Sequence, residues 1–257
     1  MPRLATILIT HEPAEAVGRM LAYWEERDPD SGHIIAYGGP AAEFVRIESP
    51  WKVLVDDPAL RTRDHPRERQ SYQGVFRAVL PELGRLGCAL VHVAEYDQVP
   101  VVSGLGAVLA AQIEREQADV LGHGAVRVDE SSHPHWLNHI DDPWFGEYWH
   151  SISRRENPEV ILSMLGCGCV WTLEAFREVA ALEPPGRIYL ELFLPTAAHH
   201  LGFRVRPTSG QVCFMHPHVE KRAEDLAGYR ERGAWSVHPV KAYWSTPRQY
   251  DLTSNGG

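Results

Sequence analysis

Apolar and polar positions along this chain fall into blocks that switch between two periods. Leu4–Thr10 is short, apolar and β-branched, the pattern of a buried strand, and His11-Glu12-Pro13 breaks it. Ala14, Val17, Leu21 and Trp24 then recur at helical spacing, which predicts a helix over Ala14–Glu26. His33–Tyr37 reads as a second strand, closed by Gly38-Gly39-Pro40. Ala41–Ile47 fits a short helix, and Trp51–Val55 a third strand that stops at Asp56-Asp57-Pro58. Arg61–Arg69 is polar and mixed in charge, so an exposed loop is expected there. Tyr72–Leu86 sets Val75, Val79, Leu80, Leu83 and Leu86 on one face of a helix, and Ala89–Ala94 is a fourth apolar strand. Strands alternating with helices predict an α/β fold, with a central, mostly parallel sheet flanked by helices.

The second half is less regular. Val101–Glu116 has a helical apolar face, Val120–Gly122 a short strand pattern, and Val160–Leu165 and Gly168–Thr172 further strand patterns. Helices are expected over Leu173–Ala181 and Arg187–His200, and a strand over Phe203–Pro207. Ser131–Trp149 keeps no clear period and reads as a long functional loop or a mixture of loop and helix. Residues 251–257, ending in Thr253-Ser254-Asn255-Gly256-Gly257, are expected to be a disordered tail.

The fourth strand carries the clearest chemistry. Its apolar run ends in Glu95-Tyr96-Asp97. Residues two apart point to the same side of an extended chain, so both carboxylates face one point just past the strand's carboxyl end. Open α/β sheets bind ligands there. Two carboxylates on one point repel unless a cation lies between them, and hard oxygen donors suit Mg²⁺ or Mn²⁺, which also bind phosphates. An ordinary acidic turn after a strand would show the same residues.

Bulk properties narrow the classes. A chain of 257 residues, 44% of them hydrophobic, holds one large domain or two small ones. A net charge of −9 argues against nucleic acid as a partner and means that a bound diphosphate needs a cation or a local basic patch. No run is long enough for a membrane span, the start is too short and strand-like for a signal peptide, and the cytoplasm is the expected location. Cys88, Cys167, Cys169 and Cys213 are too few for a disulfide scaffold. The oligomeric state leaves no mark in these patterns.

The arrangement resembles the GT-A glycosyltransferases, which use nucleotide-diphosphate sugars. The first strand ends in Thr10-His11-Glu12 and the second in Tyr37-Gly38-Gly39, where that fold cradles nucleobase and ribose. Glu95-Tyr96-Asp97 is similar to the family's Asp-x-Asp metal motif, with Glu in the first place. The resemblance implies a Rossmann-like GT-A domain over residues 1–250, with a smaller acceptor-side subregion, and divides it into a nucleotide-binding half (1–103) and an acceptor-binding half (104–250). It implies a hexosyltransferase-like enzyme that moves a sugar from a nucleotide-diphosphate sugar, most often a UDP-sugar, to a hydroxyl of a saccharide or small-molecule acceptor. It also implies Mn²⁺ or Mg²⁺ as cofactor. Asp97 would be the direct metal ligand, with Glu95 acting through water or on ribose and Tyr96 beside them. A third metal ligand would be His238, with Lys241 three residues on to meet phosphate; His216 and His218 are the other candidates.

Glu191 is a carboxylate within an apolar run. The resemblance makes it a catalytic acid near the acceptor, the general base in an inverting enzyme or a shaper of the acceptor pocket in a retaining one. A place on the polar side of an amphipathic helix is the alternative. Trp136, Trp144 and Trp149, beside Asp141, Asp142 and Glu147, offer faces for a sugar acceptor or packing for the core. Gly166-Cys167-Gly168-Cys169 reads as an open floor of small residues under the sugar. A zinc set of Cys167, Cys169, Cys213 and His216 is the competing reading, with a spacing shorter than usual. Two other functions stay open: a metal-dependent hydrolase using His133, His135, His139, Asp141 and Asp142, and a non-catalytic nucleotide-sugar binder.

Overall fold

The computed structural model describes residues 3–56, 71–183, 188–213, 226–240 and 244. The elements run β1 (Leu4–Thr10), α1 (Ala14–Arg27), β2 (Gly32–Tyr37), α2 (Ala41–Arg46), β3 (Lys52–Leu54), α3 (Ser71–Leu86), β4 (Leu90–Glu95), β5 (Val99–Pro100) and α4 (Leu105–Glu116). They continue with β6 (Val120–Gly122), β7 (Val126–Arg127), α5 (Pro134–Leu137), α6 (Pro143–Ile152), β8 (Leu162–Ser163), β9 (Val170–Thr172), α7 (Leu173–Ala181) and α8 (Leu190–His200). The last are β10 (Val205–Pro207), β11 (Gln211–Cys213), α9 (Leu226–Glu231) and β12 (Ser236–His238). No described helix is long and apolar enough to cross a membrane.

Seven strands form the central sheet in the order β10-β6-β9-β4-β1-β2-β3. β9 alone runs antiparallel to its neighbours β4 and β6, and the other pairs are parallel. This is the mixed, mostly parallel α/β sheet flanked by helices that the alternation predicts. All seven residues of β1 are buried because helices cover both of its faces. Ala5, Ile7 and Ile9 join a core that contains residues of α3, α7 and α8, while Leu4 and Leu8 join one built with α1 and α4. A smaller sheet, β11-β12-β5, stands beside the main one.

The differences from expectation lie in the second half. Helix α4 begins at Leu105 rather than Val101, because Gly104 takes a left-handed φ of 67° and Val101 donates its amide to the Trp235 carbonyl. Ser131–Trp149 resolves into two helices, each opened by a proline at its first turn, and the Asp142 carboxylate caps α6 by accepting from the Trp144 amide. Only Leu162–Ser163 of the expected 160–165 strand pairs, and α8 starts at Leu190. The expected loop at 61–69 and the tail lie outside the described residues.

Beneath α1, Thr6 lies in register between His33 and His92 on the flanking strands, and its hydroxyl is 3.3 Å from His92 Nδ1. Burial pushes the His33 imidazole down to about 4. Burial, reinforced by neighbouring His33, pushes that of His92 down to about 3. Both bind protons in the unfolded chain below the ordinary 6.5 but not in the folded one, so their contribution to stability is complete above pH 6.5 and is lost as the pH falls toward 4. Each steepens the loss by up to about 1.4 kcal/mol per pH unit. The melting temperature should therefore drop between pH 6.5 and 4, and His92→Asn should drop less steeply over the same window in a calorimetric pH series.

Candidate metal centre

β1 pairs with β2 on one side and β4 on the other, so successive connections leave it in opposite directions and a crevice opens at the carboxyl ends of β1 and β4. Ile9 is in register with Glu95, which sets Thr10 and Glu95 on that rim. The chain turns at Glu95–Gln98, with the Gln98 amide donating to the Glu95 carbonyl at 2.9 Å. It then enters β5, which pairs antiparallel with β12, Val99 opposite Val237. The Val240 amide donates to the Asp97 carbonyl at 2.7 Å. This pairing carries His238 across 143 positions of sequence to the strand end: its Nε2 lies 3.3 Å from Glu95 Oε2 and 3.2 Å from Asp97 Oδ1. Asp97 is 0% exposed, so its charge needs a cationic or hydrogen-bonding partner in place.

Other elements close the site. Tyr72, from α3, donates its hydroxyl to Glu95 Oε1 in a short hydrogen bond, and burial together with the Glu95 charge holds that phenol well above its ordinary pKa, as a donor. Cys167 donates its thiol to Gln98 Oε1 at 3.1 Å, while Gln98 Nε2 donates to Ser236 Oγ at 3.0 Å. Burial pushes the Cys167 thiol up to about 12, against the downward pull of His238. The His123 imidazole is lowered by burial and by its neighbour His238. Ligand atoms of Glu95, Cys167 and His238 all lie within 4.8 Å of one another, the one such group of His, Cys, Asp and Glu among the described residues. A carboxylate oxygen, a thiol and an imidazole nitrogen, with the buried Asp97 carboxylate against the imidazole, are a donor set that fits a divalent cation.

The segment after β8 threads these parts together. Met164 donates its amide to the Glu191 carbonyl at 3.0 Å, Leu165 to that of His123 at 2.9 Å, and Gly168 to that of Val93 at 2.7 Å. The glycines do not leave an open floor: a Cβ on Gly166 would lie 2.7 Å from Leu190 and 2.8 Å from Tyr72, and one on Gly168 would lie 2.2 Å from Gln211 Nε2. Cys169 turns into the core, its thiol donating to the Gly166 carbonyl and accepting from the Trp171 indole, and is not part of the Glu95–Cys167–His238 group. The side chain of Cys213, with His216, His218 and Lys241, lies outside the described residues.

At the carboxyl ends of β1 and β2, Thr10 Oγ1 accepts from the Glu12 amide at 3.2 Å and the Thr10 carbonyl from the Gly38 amide at 2.8 Å. His11 meets Tyr96 edge to face at 5.0 Å. Tyr37 is buried, with its hydroxyl and the His11 carbonyl so close to Gly39 that no larger residue fits. Glu191 lies in the first turn of α8, with its Oε2 3.6 Å from His135 Nε2, and the His135 ring rests on Tyr189 at 4.2 Å.

Of the residues of the hydrolase alternative, His133 and His135 lie together beside Glu191, their ring centroids 5.4 Å apart, while the others face separate partners. His133 Nε2 contacts Ser163 Oγ at 3.2 Å, His139 stacks on Phe145 at 4.4 Å, Asp142 caps α6 and Asp141 is exposed. A cavity of about 310 Å³ opens there instead, walled by Trp136, Phe145 and Trp149 and edged by Asp129, Asp142 and Glu159. Trp144 stacks on Tyr148 at 5.7 Å, and Glu147 is exposed. Sequence reasoning missed Tyr72, Gln98 and His123. Tyr72 opens an amphipathic helix and reads as core, and only the register of α3 over β4 reveals it.

No protein-family model and no curated protein sequence matches the chain. Among solved structures it is similar to core-mannan synthase A (CmsA/Ktr4) from Aspergillus fumigatus in a Mn/GDP form. That match is 12% identical, with a TM-score of 0.44, over 80% of this chain and 73% of that one. An active-site mutant of LgtC is 10% identical with a TM-score of 0.47, over 91% of this chain and 86% of that one. A197 from STIV is 10% identical with a TM-score of 0.35, over 80% and 82%.

Gly168 has a φ of 78°, in the left-handed region, and its neighbour Gln211 is tied by a 2.9 Å bond from Nε2 to the Cys167 carbonyl. Gly168→Ala should destabilise the fold by about 2 kcal/mol, from the left-handed backbone and the displaced hydrogen bond, read as a lower urea midpoint.

Proposed function

We propose that this chain is a GT-A-type glycosyltransferase that moves a sugar from a nucleotide-diphosphate sugar to an acceptor hydroxyl with the help of a divalent cation. The observation that carries this reading is the convergence of Glu95, Asp97 and His238 in the crevice where the strand order reverses. Those three residues would hold Mn²⁺ or Mg²⁺. When bound, the cation offsets the negative charge that develops on the leaving nucleoside diphosphate. Tyr72 fixes one oxygen of Glu95 and leaves Oε2 facing His238. Thr10, His11, Glu12, Tyr37, Gly38, Gly39 and Tyr96 form the nucleotide rim, with a UDP-sugar as the first donor to test and Lys241 as a phosphate contact. Glu191, oriented by His135, takes the acceptor proton in an inverting reaction or shapes the acceptor pocket in a retaining one. The cavity beside Trp136 gives a saccharide acceptor an aromatic face, with Trp149 packed in the core behind it.

Thermal unfolding against a panel of nucleoside diphosphates, each with and without Mn²⁺, tests this. One nucleotide should raise the melting temperature only when Mn²⁺ is present, by the equivalent of about 2.7 kcal/mol at a hundredfold excess over its Kd. Asp97→Asn, folded by circular dichroism, should lose that shift. No shift with any nucleotide, or a shift indifferent to metal in both proteins, overturns the reading. Release of free sugar from the matching donor separates an enzyme from a binder.

A further inference from the structure

We infer that Cys167 is a soft donor to this centre, so that a thiophilic divalent cation such as Zn²⁺ is held by Glu95, His238 and Cys167 together in preference to a hard one. The inference rests on the Glu95–Asp97–His238 centre proposed above, not on the identity of sugar or acceptor.

Three observations carry it. The Cys167 sulfur belongs, with Glu95 and His238, to the group whose ligand atoms lie within 4.8 Å of one another. Asp97 stands outside that group and approaches it through His238, its Oδ1 3.2 Å from Nε2. Three protein donors of three kinds therefore lie together: a carboxylate, an imidazole and a thiol. The sulfur is also held in place, since Cys167 is 2% exposed, its carbonyl accepts from Gln211 and the next residue is the left-handed Gly168.

Metals would sort themselves on this donor set. Mg²⁺ and Mn²⁺ prefer oxygen and keep positions for water or phosphate, so with them the sulfur stays a thiol donating to Gln98 Oε1. Zn²⁺ binds more tightly than Mn²⁺ in the general order of divalent affinities and takes four mixed nitrogen, oxygen and sulfur ligands. When it binds, the Cys167 S–H bond breaks, a sulfur–zinc bond forms, the proton passes to solvent and Gln98 Oε1 loses its donor. The consequence is a centre whose thiol ranks soft cations above hard ones.

Cobalt(II), a spectroscopic stand-in for zinc, tests this on the full chain kept under reductant. The expected result is a thiolate-to-cobalt charge-transfer band with the visible bands of four-coordinate cobalt. Cys167→Ser, and separately Cys167→Ala, should abolish the charge-transfer band. By competition titration each should lower the ratio of Zn²⁺ to Mn²⁺ affinity by at least about tenfold. Cobalt binding without a charge-transfer band, or a band that survives both substitutions, overturns the role of Cys167 and leaves the three-residue centre standing. If Mn²⁺, Co²⁺ and Zn²⁺ all fail to bind, the centre itself falls.

Discussion

A carboxylate with no exposed surface has to be answered where it sits, and much of this molecule is arranged around that requirement at Asp97. The answer comes from His238, on a strand that pairs with β5 just beyond Asp97 itself. The backbone serves the same end: the Val240 amide meets the Asp97 carbonyl, and Gln98 ties the turn to Ser236 and Cys167. The small β11-β12-β5 sheet is thus the clamp that closes the crevice of the large one.

The large sheet supplies the rigid side. Because both faces are covered, β1 and β4 have little freedom to shift, and their carboxyl ends fix the spacing between Thr10 and the acidic turn. Tyr72 links the layers: it grows from α3, packs toward Phe76 and ends on Glu95. A residue that reads as core from the sequence therefore also orients the Glu95 carboxylate.

What was legible in the sequence follows from the range of the interactions involved. The first half obeys local rules, and Leu4–Thr10, His33–Tyr37 and Tyr72–Leu86 form the elements their periods predict. Glu95 and Asp97 were legible because an acid-x-acid step after an apolar run is a local signal. The start signals of α5 and α6, Pro134 and Asp142-Pro143, were present but lay in a segment without hydrophobic period. The meeting of Cys167, Gln98 and His123 with His238 had no local signal, since each pair is joined only through sheet register and a threading segment. The open floor expected at Gly166 and Gly168 failed for the same reason: the side chains that fill it come from Leu190, Tyr72 and Gln211, all distant in sequence.

The delivery of His238 by β12 also orders events during synthesis. The seven strands of the main sheet are all present once Pro207 has been made, so its register can settle while the chain is still growing. The centre cannot, because one of its donors is added 143 positions after Glu95. A nascent chain can therefore own a finished scaffold, with its acidic turn in place, and still lack the imidazole that completes the pair. Assembly of the scaffold and assembly of the centre are separate steps, and the second is tied to the arrival of a single short strand.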